Sequence, residues 1–178
     1  MFAQNMDEDD NYASEFTYGI TLSTTGGIPS GFILKNARFI KDRWYHVFFL
    51  EVMNVKHPKE YRSNNFTQTY GGAFVYDKLN NFYVIRPQYG REYVLFRKAA
   101  EQGVQIDAIL AGGPSLGFLK PYYIQYVYSN SDVRTERYDP NVHPNANAIA
   151  GNGGFWNGLG ESKLQIGANL KAGITFEF

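Results

Sequence analysis

From Lys163 to Phe178 apolar and polar residues alternate without exception. Leu164, Ile166, Ala168, Leu170, Ala172, Ile174, Phe176 and Phe178 fall on one side, and Lys163, Gln165, Gly167, Asn169, Lys171, Gly173, Thr175 and Glu177 on the other. A period of two belongs to a β-strand with one apolar and one polar face. The run exceeds the about 5–6 residues of an ordinary globular strand and closes on an aromatic residue, as strands of outer-membrane barrels do. The same alternation places Phe16, Tyr18, Ile20 and Leu22 against Glu15, Thr17, Gly19, Thr21 and Ser23 in a first strand, ended by the turn-rich segment 24–31.

A second strand is expected from about Phe32 to Ile40, and a third from Trp44 to Val55, rich in aromatic and β-branched residues although its alternation falters at Phe48-Phe49-Leu50. A fourth lies between Phe66 and Arg86, bent near Leu79-Asn80-Asn81. Residues 91–102 tolerate a short helix closed by Gly103. Val104, Ile106, Ala108 and Leu110 resume a period of two and continue, after a kink at Gly112-Gly113-Pro114, into Tyr122, Ile124, Tyr126 and Tyr128 as a fifth strand. Residues 129–162, rich in Asn, Asp, Gly and Pro, read as a long loop.

These readings give an all-β fold: an antiparallel up-and-down transmembrane β-barrel with about six strands visible here and about eight in the intact protein. The shortfall is assigned to a final hairpin beyond Phe178. Residues 1–14 form a disordered leader and 15–178 the barrel domain. Starting the first strand at the periplasm puts 24–31, 57–65 and 129–162 outside and Lys41–Arg43 inside, in keeping with long outer loops and short inner turns.

Composition narrows the function. No apolar run approaches the roughly 18–20 residues of a transmembrane helix, so a membrane crossing would use strands. Lys and Arg together number 17, equal to Asp and Glu, and Asp7, Glu8, Asp9 and Asp10 are clustered in the leader, leaving no basic footprint for nucleic acid. The absence of Cys excludes disulfides, thiolate metal sites and thiol nucleophiles. Met1-Phe2-Ala3-Gln4-Asn5 lacks the basic and apolar regions of a secretory signal; Ala3-Gln4 resembles the end of one, with a plain cytoplasmic start as the alternative.

Candidate chemistry is sparse. His46, His57 and His143 are far apart, and Gly151-Asn152-Gly153-Gly154 is not followed by the Lys-Ser/Thr of a phosphate loop. Ser115 has Gly-x-Ser-x-Gly spacing but no strand-to-helix context, and reads as part of a strand kink. No catalytic, cofactor-binding or metal-ligating residue is assigned, and no cofactor is expected. Arg86, Arg91, Arg97, Lys98 and Lys120 against Glu51, Glu92, Glu101 and Asp107 suit a paired network in a barrel interior or at its periplasmic rim. Tyr122, Tyr123, Tyr126 and Tyr128 with Phe155 and Trp156 suit an interfacial girdle, or alternatively a ligand platform on the outer loop. Asp132, Arg134, Glu136, Arg137 and Asp139 read as solvated loop charges.

Four phrases, Asn54-Val55-Lys56-His57-Pro58-Lys59-Glu60, Lys78–Pro87, Gly113–Pro121 and Ala172–Phe178, resemble a family of small Bacteroidota-type outer-membrane β-barrel proteins of undefined function. The resemblance implies an exported barrel with a signal peptide and further strands, and supplies no catalytic residues. The expected function is that of a small, non-enzymatic outer-membrane barrel of a Gram-negative bacterium with a structural or accessory role in envelope assembly or secretion. Its partners would be outer-membrane lipid, the barrel-assembly machinery and an envelope protein. Two rivals stand: a soluble lipocalin-like barrel, which would turn its apolar face inward around an apolar ligand, and a membrane-barrel enzyme acting on lipid, which would need a Ser/His/acid cluster.

Overall fold

Alternating segments become strands throughout the computed structural model, which describes residues 13–24, 27–57, 59–63, 72–97, 103–129 and 132–177. Nearly all of the acidic leader, Phe66–Gly71 of the expected fourth strand, and Lys98–Gln102 of the expected helix lie outside these residues. The strands are β1 (Ser14–Ser23), β2 (Gly27–Lys41), β3 (Trp44–Val55), β4 (Arg62–Ser63), β5 (Phe74–Val75), β6 (Asn80–Phe96), β7 (Gln105–Pro121), β8 (Tyr123–Ser129), β9 (Asp132–Arg137), β10 (Ile149–Asn152) and β11 (Lys163–Glu177). A 3₁₀ turn at Ala146–Ala148 is the one helical element among the described residues.

The principal sheet has six strands in the order β1-β2-β3-β6-β7-β11, every neighbouring pair antiparallel. The chain therefore runs up and down across the sheet, as the sequence pattern predicts. Among the described residues β1 and β11 each have a neighbour on one side only, so the sheet is open rather than a closed cylinder.

Register fixes the two faces. On one lie Phe16, Tyr18, Phe32, Leu34, Phe48, Leu50, Ile85, Leu110, Ile166 and Leu170, and on the other Glu15, Lys35, Ala37, Tyr45, Glu51, Gln88, Glu92, Asp107, Asn169 and Lys171. The apolar face is the exposed one: Tyr18, Ile166 and Leu170 keep 78%, 76% and 79% of their surface, whereas Ala37 and Glu92 keep 0%. The buried cluster of Ala37, Tyr45, Val47, Phe49, Val94 and Ala111 comes wholly from this one sheet. A single sheet buries one of its own faces only by curling over it, and Glu15, Thr17 and Gly19 of β1 line one cavity of about 420 Å³ together with Lys171, Gly173 and Thr175 of β11. This facing is the reverse of what a lipocalin-like barrel requires.

Glycine permits the curl. A Cβ on Gly90 would stand 2.5 Å from the Ala111 Cβ, and one on Gly113 would stand 2.1 Å from the Pro87 carbonyl oxygen. These are places where neighbouring backbones approach too closely for a side chain. The register on either side, Ile85↔Leu116 and Tyr89↔Gly112, sets Pro87 opposite Pro114, and the pairing of β6 with β7 lapses there because neither proline has an N–H to give.

Several expectations need correction, among them the turn-rich segment 24–31, whose last residues begin β2, and the strand from Phe66 to Arg86, whose described part divides between β5 and β6. Arg91–Phe96 are the end of β6, not a helix; Glu92 and Val94 are both buried on the concave side, so the period is two, disguised by a carboxylate on the inner face. The fifth strand is not one strand: β7 runs through Gly112-Gly113-Pro114 to Pro121, and the break falls at Tyr122, after which β8 enters a different sheet.

That second sheet, β10-β8-β9, and the short β4-β5 pair form a cap built from the segments between the long strands. Its core joins Phe74, Tyr122, Ile124, Tyr126, Tyr138 and Ile149. Residues 129–162 thus carry β9, the 3₁₀ turn and β10, with Tyr138, His143, Ile149 and Ala150 buried.

Candidate functional site

The concave face of the principal sheet holds an ionic network. Lys35 Nζ lies 2.7 Å from a Glu92 carboxylate oxygen and 3.6 Å from one of Glu15. Arg86 approaches Glu51 at 3.8 Å, and Gln105 donates to Asp107 at 3.2 Å. Lys171 sits over the Phe49 ring, 4.8 Å from its centroid. The inward position of these residues follows from strand parity alone, and burial demands that their charges be paired. The arrangement holds charge in place; it does not present a nucleophile with a base and an orienting acid.

A second polar knot occupies the proline gap. Asn169 Nδ2 donates to the carbonyls of Gly113 and Pro114 and to Ser115 Oγ, each at 3.0 Å, while its Oδ1 accepts from Gln88 at 2.7 Å. Acceptors freed where Pro87 faces Pro114 are thus served from the neighbouring strand. Ser115 lies mid-strand in β7, bonded to an amide rather than to a histidine.

A polar cleft at the cap end, about 630 Å³, is lined in part by Lys56, His57, Glu60, Arg62, Lys78 and Tyr122. Lys78 Nζ lies 2.6 Å from Glu60 and 6.0 Å from the Tyr122 ring centroid, and the Tyr122 hydroxyl accepts from the Val75 N–H at 3.1 Å. Burial raises the Tyr122 phenol above its ordinary pKa, opposed in part by that hydrogen bond. Cations outnumber the single carboxylate here, so the cleft suits a polar or anionic ligand.

The three histidines are not brought together. His46 lies on the exposed face, where Tyr89 OH is 2.6 Å from its Nδ1. His57 belongs to the polar cleft. His143 is buried in the cap against Tyr126, with ring centroids 4.7 Å apart, and its Nε2 lies 3.8 Å from Glu136. Among the described residues no group of three or more His, Cys, Asp or Glu is arranged to hold a metal ion.

The aromatics of the expected girdle divide: Tyr128, Phe155 and Trp156 are exposed, and the others are not. Tyr122 and Tyr126 are cap core, Tyr123 donates to Glu161 at 2.5 Å, and Phe155 packs on Tyr83 and Trp156. The loop charges are only partly solvated: Asp132 pairs with Arg134 on the surface, whereas Glu136 turns toward the buried His143. Sequence reasoning missed the exposed-face pairs Trp44–Tyr93 and Phe48–Tyr89, with ring centroids 4.7 and 5.0 Å apart. Their signal was present as outward parity in two strands, but it required the register between them.

No family model matches the chain, and neither a curated protein nor a solved structure is similar to it.

Proposed function

We propose that this protein is a small outer-membrane β-barrel of a Gram-negative bacterium, without enzymatic activity, with a structural or accessory role in envelope assembly or secretion. One observation carries the reading: six long antiparallel strands expose their apolar face and fold their carboxylates inward. In water such a face would be a large aggregation-prone patch; in hydrocarbon it is the side that meets lipid, with the polar side enclosed. A run of 11 residues along β3, from Trp44 to Asn54, spans about 26 Å of the membrane normal at ~3.4 Å per residue and a tilt of about 40°. Its ionic interior is crowded with side chains, which argues against a general pore. The edges β1 and β11 run antiparallel beside a shared cavity, so barrel closure pairs them with each other or with further strands, as backbone groups in hydrocarbon require. Outer-membrane lipid and the barrel-assembly machinery are then its partners.

Fractionation of cells expressing the full gene product tests this. The expected result is recovery in the outer membrane, extraction only by detergent, and gel migration that shifts on heating. Recovery as a soluble monomer overturns the reading.

A further inference from the structure

Every acidic residue of the six long strands, Glu15, Glu51, Glu92, Asp107 and Glu177, lies by register on the concave face. Two arginines do not follow their charge inward. Register places Arg38 opposite His46, and His46 opposite Arg91, so the three stand side by side on β2, β3 and β6 on the exposed face. Directly opposed residues on one face have Cβ atoms about 4.5–5.5 Å apart. Among the described residues Arg38 donates to Asn36 alone, at 3.3 Å, and neither Arg38 nor Arg91 forms an ion pair. His46 is held by the Tyr89 hydroxyl.

On β2 and β3 the row stands near one end of the apolar face, while on β11 exposed Ile174 and Phe176 lie beyond it. On the cap side of it the exposed face carries Phe16, Leu34, Phe48 and Leu50; on the other side come Trp44, packed on Tyr93, and the β2–β3 turn. Arginines flanking a histidine beside an aromatic pair, with no carboxylate on their own face among the described residues of the six strands, suit an anionic ligand.

Resting on the membrane reading above, we propose that Arg38, His46 and Arg91 form a site for the phosphate of an anionic membrane lipid, with its acyl chains along Phe48 and Leu50. The guanidinium groups give two planar donor forks to the phosphate oxygens, a geometry matched to that group. The site fixes the depth and rotation of the barrel at the bilayer face on the β2–β3 turn side.

Trp44, two residues from His46 on the same face, is the reporter. In a Trp156→Phe background it is the sole indole, and the refolded full chain is placed in phosphatidylcholine bilayers containing acyl-brominated phosphatidylglycerol or, in parallel, acyl-brominated phosphatidylcholine. The expected result is a preference of several-fold for phosphatidylglycerol in quenching Trp44, weakened by salt, abolished in Arg38→Gln/Arg91→Gln and retained in Arg38→Lys/Arg91→Lys. Equal quenching by the two lipids in the parent protein overturns the site while leaving the membrane reading intact. Absence of quenching by either lipid overturns both.

Discussion

At the level of single residues, inward charge and inward glycine are the costly choices. Lys35 faces Glu92, which has no exposed surface, at 2.7 Å. Removing one partner of such a pair strands the other, at about 3–5 kcal/mol, whereas replacing both with apolar residues of similar volume is close to neutral. Lys35→Met is therefore expected to lower the urea midpoint of the detergent-refolded protein strongly, and Lys35→Met/Glu92→Leu to restore most of the loss. A double variant as unstable as the single one would show that the pair is not an isolated unit. Gly90→Ala should cost about 1–3 kcal/mol through overpacking, since the new Cβ meets both the Leu110 carbonyl and the Ala111 side chain. Gly173→Ala is its control, because nothing lies within 4 Å of a Cβ there.

At the level of elements, the two faces of β11 make opposite demands. Leu170, near its middle, is exposed, while Asn169 bonds across the proline gap. Leu170→Arg should cost about 2–4 kcal/mol in a bilayer, as midplane arginines do on barrels, and almost nothing if that face meets water. Unfolding titrations of the protein reconstituted in bilayers separate the cases. This strand was readable in full from its alternation, because both its faces are compositionally pure. The alternation of β3 falters at Phe48-Phe49-Leu50 because Phe49 turns inward to pack under Lys171. β6 was mistaken for a helix near Arg91 because a carboxylate stands where a purely apolar core is assumed. The break at Tyr122 is marked in the sequence by Pro121 alone, since two alternating segments meet there and only their pairing partners differ. The exposed arginine row was equally hidden: Arg38 and Arg91 are 53 positions apart, and only the register through His46 makes them neighbours.

At the scale of the whole molecule, the curled sheet and the cap have separate cores, one around Tyr45 and Phe49 and the other around Tyr122, Tyr126 and Tyr138. They need not fail together, and alkaline pH tests whether they do. Burial raises the pKa of Tyr122 and of Tyr138 above the ordinary phenol value. An unfolded chain releases these protons at a pH near 10, so the folded cap holds protons that the unfolded cap has lost. Its stability is therefore fully present below about pH 10 and declines as pH rises from there through the folded values, the slope following the difference in bound protons. The cap should open first, exposing sites in β8 to β10 to an alkaline-tolerant protease while the heat-dependent gel shift of the long-strand sheet persists. Tyr138→Phe, which keeps the ring and removes the ionising group, should move the onset of cleavage to higher pH. Simultaneous loss of both signals at one pH, unaffected by that substitution, would show instead that cap and sheet unfold as a single cooperative unit.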